Sequence, residues 1–479
     1  MAGTERRRGG GRDFVLLWTS QAVGEFAYST SLIVLPLLVL ALTGSPSQAG
    51  IIGFVDAAAM LLAGLPAGAV ADRYDRRTVM LWCEAVLAAV FASLALLLWA
   101  GTVSFPALVG LALVNGAATA VLGAAGEAMI PGLVPPERLS DAVAMNSART
   151  YAGQLAGTSA GGFLLAVRNA FPFAVGAVAH LAGLVLLLFM RRPAGAAAAT
   201  PAAPPPDPAA AGGGAGGLAE GVRFLARHPF LRLGLAYATA TNFCFGAVYF
   251  MVIASAQADG LATGSIGLMA ALLGVGGVLG ALAAPLLQRV LTGARPVFAV
   301  LWLFAVLTGG IAVLPGTWTP GLMLGAIAFA APTANAYFTT HQLLLTPDSH
   351  RGRVVSVAAL CSGAGGAVAP LAGGVLLDQV GRFAGLLTCA AVMGLIALSA
   401  VLSPVMRRAP GALAGPVPSE ERAAHAEDTE PGPAEHAEHA EHAEHAEPGS
   451  AEHHDPVPAL SPAAAPARPS IPDRQSGTP

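Results

Sequence analysis

The sequence predicts an all-α membrane protein of twelve transmembrane helices in two six-helix pseudo-repeats, followed by a disordered C-terminal tail. Three observations predict it. Of 479 residues, 55% are hydrophobic and 11% charged, with a mean hydropathy of +0.65, whereas a soluble domain carries about 25% charged residues. Apolar stretches of the roughly 20 residues needed to cross a bilayer recur from Phe14 to Leu402, and none has the form of a short, cleavable secretory signal. Finally, a shift of 212 residues superposes Gly64, Gly68 and Arg77 on Gly276, Gly280 and Arg289, and Ala160-Gly161-Gly162 on Ala372-Gly373-Gly374. One offset that aligns the second and fifth spans of both halves indicates duplication. Parallel repeats with a substrate site between them suit a carrier that rocks one half against the other.

Helices are expected at Phe14–Leu42, Ala49–Ala71, Thr78–Ala100, Phe105–Ile130, Ala142–Ala166, Pro172–Met190, Leu231–Ala256, Ser265–Leu287, Val297–Leu314, Gly321–Thr340, Val354–Leu377 and Phe383–Leu402. Alternate connections carry arginine clusters: Arg6–Arg8 with Arg12, Arg73/Arg76/Arg77, Arg191/Arg192 with Arg223/Arg227/Arg232, Arg289/Arg295, Arg351/Arg353 and Arg407/Arg408. The opposite loops carry only Arg168 and Arg382. The positive-inside rule then puts both termini and the central linker in the cytoplasm, for a multi-pass protein of the inner (cytoplasmic) membrane.

The expected organisation is a cytoplasmic arm (1–12), a first six-helix bundle (13–192), a linker (193–228), a second bundle (229–406) and a tail (407–479). The linker opens with a Pro/Gly/Ala-rich run, the composition of a flexible tether. It ends by setting Val222, Phe224 and Leu225 against Arg223, Arg227 and Arg232, either a surface amphipathic helix or the start of the seventh span. Cys83, Cys244, Cys361 and Cys389 each lie alone in an apolar segment and read as small buried hydrophobes.

The stretch Gly68-Ala-Val-Ala-Asp72-Arg73-Tyr-Asp75-Arg76-Arg77 resembles the signature Gly-x-x-x-Asp-Arg-x-Gly-Arg-Arg/Lys of the major facilitator superfamily. Asp75 stands at the usual second glycine and is a residue type that tolerates a left-handed turn. Leu17-Trp18 with Gln21, Val134-Pro135-Pro136-Glu137-Arg138-Leu139 and Arg351-Gly352-Arg353-Val354 resemble the efflux branch of that family, the exporters of macrolides, multiple drugs and siderophores. The resemblance spans about Asp13 to Arg408 and implies the family's twelve-helix fold, rocker-switch alternating access, outward transport and a monomer. It also implies that Asp72, Arg73 and Arg77 latch the outward-open state. The alternative for that cluster is a purely topogenic one, holding the loop inside. Gly64 and Gly68, four apart, form a small-xxx-small face on which another helix can pack. The family's proline-glycine helix survives as Pro370, Gly373 and Gly374, while Gly157, Gly161 and Gly162 keep the packing glycines with Thr158 at the proline position.

Ionisable residues inside spans are costly and point to function. They concentrate in the first half as Glu25, Asp56, Glu84, Glu127 and Arg149. At 1.5 Å per residue Glu25 lies roughly 16 Å into its span, near the midplane, and Asp56 about 11 Å from the end of its own. These two are the candidates for proton coupling, because exchange needs a desolvated carboxyl group that binds and releases a proton near neutral pH. The competing reading is a carboxyl lining a wet cavity or paired with an arginine. Glu84, Glu127 and Arg149 read as a structural ion-pair network with Arg76 and Arg77 in reach. From the second half Asn242, Tyr249, Asn335, Tyr337 and His341 are candidates to line the cavity.

The tail's AEHAEHAEHAEHAE run places His436, His439, His442 and His445 three apart. Such a run weakly chelates divalent metal or simply reflects repeat expansion. No Walker A motif and no catalytic fingerprint is present. The expectation is therefore a non-enzymatic secondary transporter with no cofactor and no nucleic-acid partner, embedded in lipid and moving an amphiphilic small molecule, drug or secondary metabolite, against a proton gradient. A siderophore or metal-complex exporter, and a lipid flippase or non-transporting scaffold, are the alternatives.

Overall fold

Helix starts and stops follow local chemistry. The computed structural model describes residues 2–135, 138–191, 215–291 and 293–407. Among these the helices are α1 (Ala2–Thr43), α2 (Pro46–Arg73), α3 (Arg76–Ala100), α4 (Phe105–Leu133), α5 (Leu139–Val167), α6 (Phe171–Leu188), α7 (Ala215–Arg227), α8 (Pro229–Ala258), α9 (Thr263–Val290), α10 (Arg295–Val313), α11 (Thr319–Leu345), α12 (Asp348–Leu402) and the single turn α13 (Pro404–Arg407). Proline occupies the first turn of α2, α4, α6, α8, α10 and α11, where its missing N–H costs nothing. Ser45 caps α2 by accepting from the Gln48 N–H, and Gly101 closes α3 in the left-handed conformation at φ 68°. α12 is two helices: Gly381, at φ 75° and ψ 173°, separates an arm at 348–380 from an arm at 382–402. With α12 counted twice and the short α7 and α13 set aside, twelve helices are long enough to span.

The two halves repeat one packing scheme. α1 packs on α5 and α6, α2 on α4, and α3 on α4 and α6; correspondingly α8 packs on α12, α9 on α11, and α10 on α11 and α12. α1 meets α8 over a smaller area, and two helix pairs make the main contacts between halves, α2 with α12 and α5 with α9. These are the second and eleventh, and the fifth and eighth, spans, which the internal repeat makes equivalent.

The glycine runs act where the halves and helices meet. A Cβ on Gly157 would lie 2.5 Å from the Phe26 carbonyl oxygen, which fixes α5 against α1, and one on Gly373 would lie 2.8 Å from that of Ala247, which fixes α12 against α8. Gly161 faces Val34 and Thr30. Between halves, Gly162 abuts Thr263 and Gly267, Gly374 abuts Pro46, and Gly50 abuts Pro370. Where Pro370 sits in the second half, Thr158 bonds back to the Gln154 carbonyl at 2.7 Å, a bond that bends helices mildly.

Two features depart from the sequence reading, and a third decides between its alternatives. Asp75 is not in a left-handed turn: at φ −59° and ψ 113° it caps α3, accepting from the Thr78 N–H at 3.0 Å and hydroxyl at 2.6 Å. Gly64 and Gly68 are exposed, and a Cβ on either meets nothing within 4 Å, so no helix packs on that face in this conformation. α7 is a separate helix, broken from α8 at His228. It docks on the second half, with Leu225 in the core, Phe224 stacked on His350, and Glu220 paired with Arg353 and His350. The tail histidines His436, His439, His442 and His445 lie outside the described residues.

Candidate transport pathway

Among the described residues, the seam between halves is sealed at one end only. At the end remote from the arginine clusters, Asp378 of α12 accepts from the Ser47 N–H at 3.0 Å and the Ser45 hydroxyl at 3.4 Å, and so faces the N-terminus of α2, where helix dipoles favour an anion. Gln257 of α8 donates to the Leu37 carbonyl of α1 at 2.9 Å. An apolar cluster there unites Ile33, Leu37, Ile52 and Phe91 with Phe250, Ile253 and Ile266 from the other half. At the arginine-rich end the corresponding cluster, around Leu17, Met80 and Leu187, draws on the first half alone.

The signature residues hold that end of the first half together. Arg76 donates to the Ala71 and Ala128 carbonyls at 3.2 and 2.6 Å, near the C-termini of α2 and α4. Arg77 donates to the Leu187 and Leu188 carbonyls of α6, both at 2.9 Å. The guanidinium groups thus add bonds to carbonyls near the C-terminal ends of these helices, where positive charge is favoured. Asp72 has a side chain 77% exposed and touches Arg76 only at 3.5 Å. Arg73 is exposed. The latch expected of Asp72 is unfastened.

Between the halves a cavity of about 700 Å³ is lined by Met60, Leu61, Gly64, Glu127, Leu360 and Gly363 among others. A second, more enclosed space of about 240 Å³ lies beside it, lined by Ser31, Pro36, Asp56, Tyr249, Phe250 and Pro370 among others. Ala57 and Gly366 line both, so the two spaces adjoin. Asp56, 6% exposed, accepts from the Asn115 amide at 2.8 Å. A Cβ on Gly116 would lie 2.1 Å from the Asp56 carbonyl oxygen, so α4 backs this turn of α2 closely.

The charge network divides differently from the expected one. Glu84 is wholly buried and pairs not with arginine but with His180 Nδ1 at 2.8 Å, while Ser20 donates to its other oxygen at 3.3 Å. Phe91 covers the imidazole, with ring centroids 5.1 Å apart. Glu127 is exposed to the larger cavity. Arg149, buried, donates to Asn146 and Thr150 and interacts electrostatically with both Glu25 and Glu127. Glu25 accepts from Ser29 at 3.3 Å and packs against Gly153.

Of the second-half candidates, Tyr249 lines the enclosed cavity, Asn242 lies on the same face of α8 one and two turns from Gly246 and Tyr249, and Asn335 lines a separate space between α8, α11 and α12. Tyr337 and His341 do not line the pathway: both are buried in an aromatic core with Phe230 and Phe338. The sequence reading missed His180 and Asn115, the partners of its two most buried carboxylates, and Asp378.

A family model settles the chain's kinship: that of the Major Facilitator Superfamily matches residues 17–345. The chain belongs to the major facilitator superfamily. Solved structures with this fold include the nucleoside transporter NupG (TM-score 0.63, 11% identity, 81% of this chain and 98% of that one) and a D-xylose-proton symporter (0.60, 15%, 84% and 99%). A bacterial homologue of the human lysosomal transporter Spinster, captured inward-facing and unoccupied, is also similar (0.60, 16%, 81% and 95%). No curated protein sequence matches the chain. Kinship and fold make it a multi-pass transporter rather than an enzyme, and at these identities the solved structures speak for the fold alone.

Proposed function

We propose that this major facilitator exports amphiphilic small molecules from the cytoplasm by proton antiport, rocking its two halves about the seam between them. The observation that carries the reading is a seam sealed at one end and open at the other, with membrane-embedded carboxylates along the path between. With the arginine clusters in the cytoplasm, the conformation is inward-facing. Substrate enters the larger cavity past Glu127, settles toward Asp56, and leaves outward when the α2–α12 and α5–α9 contacts part.

The walls support the choice of cargo. The two cavities are lined mainly by Leu, Ile, Ala, Gly and aromatic side chains, which suit an apolar body better than a sugar's ring of hydroxyls. Export itself is drawn from the motif resemblance. Glu25 and Asp56 carry the proton: both lie within spans, and neither has an ion pair within 4 Å among the described residues. The test is flux in proteoliposomes from a panel of amphiphiles, with and without an imposed pH gradient. Gradient-driven substrate movement with opposing proton movement is expected, and both are lost in the Glu25→Gln, Asp56→Asn double variant. Proton movement that persists in the double variant removes these residues from the coupling step.

A further inference from the structure

A groove on the second half lies outside the transport pathway. It holds about 580 Å³ and runs between α8 and the first arm of α12. Arg232, Ala236, Ala240 and Phe243 line it from one face of α8, and Ala364, Gly365 and Val368 from α12. Its floor is tight, since a Cβ on Gly365 would lie 2.7 Å from the Thr239 carbonyl oxygen. α12 turns a different face to the first half, that of Leu360, Gly363 and Gly366, which lines the cavity between halves. No first-half residue lines the groove, so it opens away from the seam, toward the bilayer.

The lining changes from charged to apolar along its length. Arg232 stands at the arginine-rich end, and beyond it the walls are apolar but for Thr239. From Arg232 to Phe243 α8 rises roughly 16 Å, about the depth of hydrocarbon in one leaflet, roughly 15 Å. Arg232 is exposed, donates one long bond to the Ala226 carbonyl at 3.4 Å, and has no carboxylate within 4 Å among the described residues. Arg227, and Arg407 on α13, which packs against α8, are exposed at the same end and equally without carboxylate partners. A guanidinium with donors to spare matches phosphate oxygens, and arginines without balancing carboxylates favour a head group of net negative charge over a zwitterionic one. We propose that the groove between α8 and α12 seats an anionic phospholipid, its phosphate on Arg232 and an acyl chain along Ala236, Ala240 and Ala364 toward Phe243. A lipid there braces the arm of α12 whose other face forms the seam. The site is separate from the substrate path and is read without transport, so it stands or falls independently of the export reading.

Tryptophan quenching on the full chain in nanodiscs reads occupancy at the groove itself. Phe243→Trp puts a fluorophore at the apolar end, and its signal is the difference from the chain with its five native tryptophans. In this reporter, brominated phosphatidylglycerol is expected to show a relative binding constant about fivefold above that of brominated phosphatidylcholine. Adding Arg232→Ala is expected to bring that ratio to about one. Ala364→Leu fills the groove and is expected to weaken quenching by both lipids, and it decides the matter if Arg232→Ala does not fold. Equal quenching by the two lipids in the reporter overturns the anionic site, as does a ratio that Arg232→Ala leaves unchanged. Quenching untouched by Ala364→Leu overturns the groove as the place where the chain lies.

Discussion

Glu84 and His180 show how a buried polar pair is made affordable. Each would be an uncompensated group in the bundle interior, and together, with the Ser20 hydroxyl, they tie α1, α3 and α6. Removing one partner of such a pair is far more damaging than replacing both with apolar residues. His180→Ala is expected to destabilise the protein by about 3 kcal/mol or more. The Glu84→Met, His180→Leu double variant should recover most of that, as read by thermal melting in detergent. Equal losses in single and double variants would show that the pair contributes little beyond packing. The sequence marked Glu84 because a carboxylate inside an apolar run is conspicuous. It could not supply the partner, since His180 lies 96 residues away and only the α3–α6 contact brings it close. Asn115 escaped notice for the same reason: amides in membrane helices are common, and nothing in the chain pairs this one with Asp56.

At the scale of elements, the glycines fall into three groups that a glycine count cannot separate. Gly157 and Gly373 fix helices within a half, Gly162 and Gly374 close the seam between halves, and Gly64 and Gly68 touch nothing in this state. Substitutions should sort accordingly. Gly157→Leu drives a side chain into the backbone of α1, so loss of folded protein is expected on size-exclusion chromatography. Gly374→Leu pushes Pro46 away and should open the outer seam. A cysteine placed at Ser31, in the enclosed cavity, then gains labelling by an impermeant maleimide applied from the sealed end, and Asp378→Ala shifts it the same way more weakly. Labelling equal to that of the parent would mean that these contacts do not hold the seam. Gly64→Leu is expected to leave the melting temperature of the present state within a few degrees yet to abolish flux, because the proposed rocking brings that face into packing in the opposite state.

Most helix ends were legible to within about three residues, because hydropathy and prolines at helix starts are local signals; the exceptions are α1, which begins at Ala2 inside the expected arm, α11, which runs on to Leu345, and α12, which begins at Asp348. Membership of a seam is not local. Tyr337 and His341 shared the polarity of cavity residues but belong to an aromatic core, and Asp75, read as a turn residue, is a helix cap.

For the whole molecule, the repeated packing scheme has a mechanical consequence. Each half is tied internally by glycine contacts and by guanidinium caps at the first half's arginine-rich end, while the halves meet mainly along two equivalent helix pairs. The proposed function has such a body move by rigid rotation about the seam, so that opening one end closes the other. In that proposed motion Asp72, exposed here, becomes available to the second half when the arginine-rich end closes. The internal repeat made this geometry foreseeable, but not which end would be shut.

The most direct test of alternating access is a paired distance measurement by double electron–electron resonance in nanodiscs. One spin-label pair at Leu42 and Val380 reports the sealed end, and another at Tyr74 and Val355, all exposed positions, reports the arginine-rich end. Adding a transported amphiphile or changing pH is predicted to lengthen the first distance while shortening the second, with the two populations changing together. A first distance that never lengthens, or two distances that change independently, would contradict a rocking carrier.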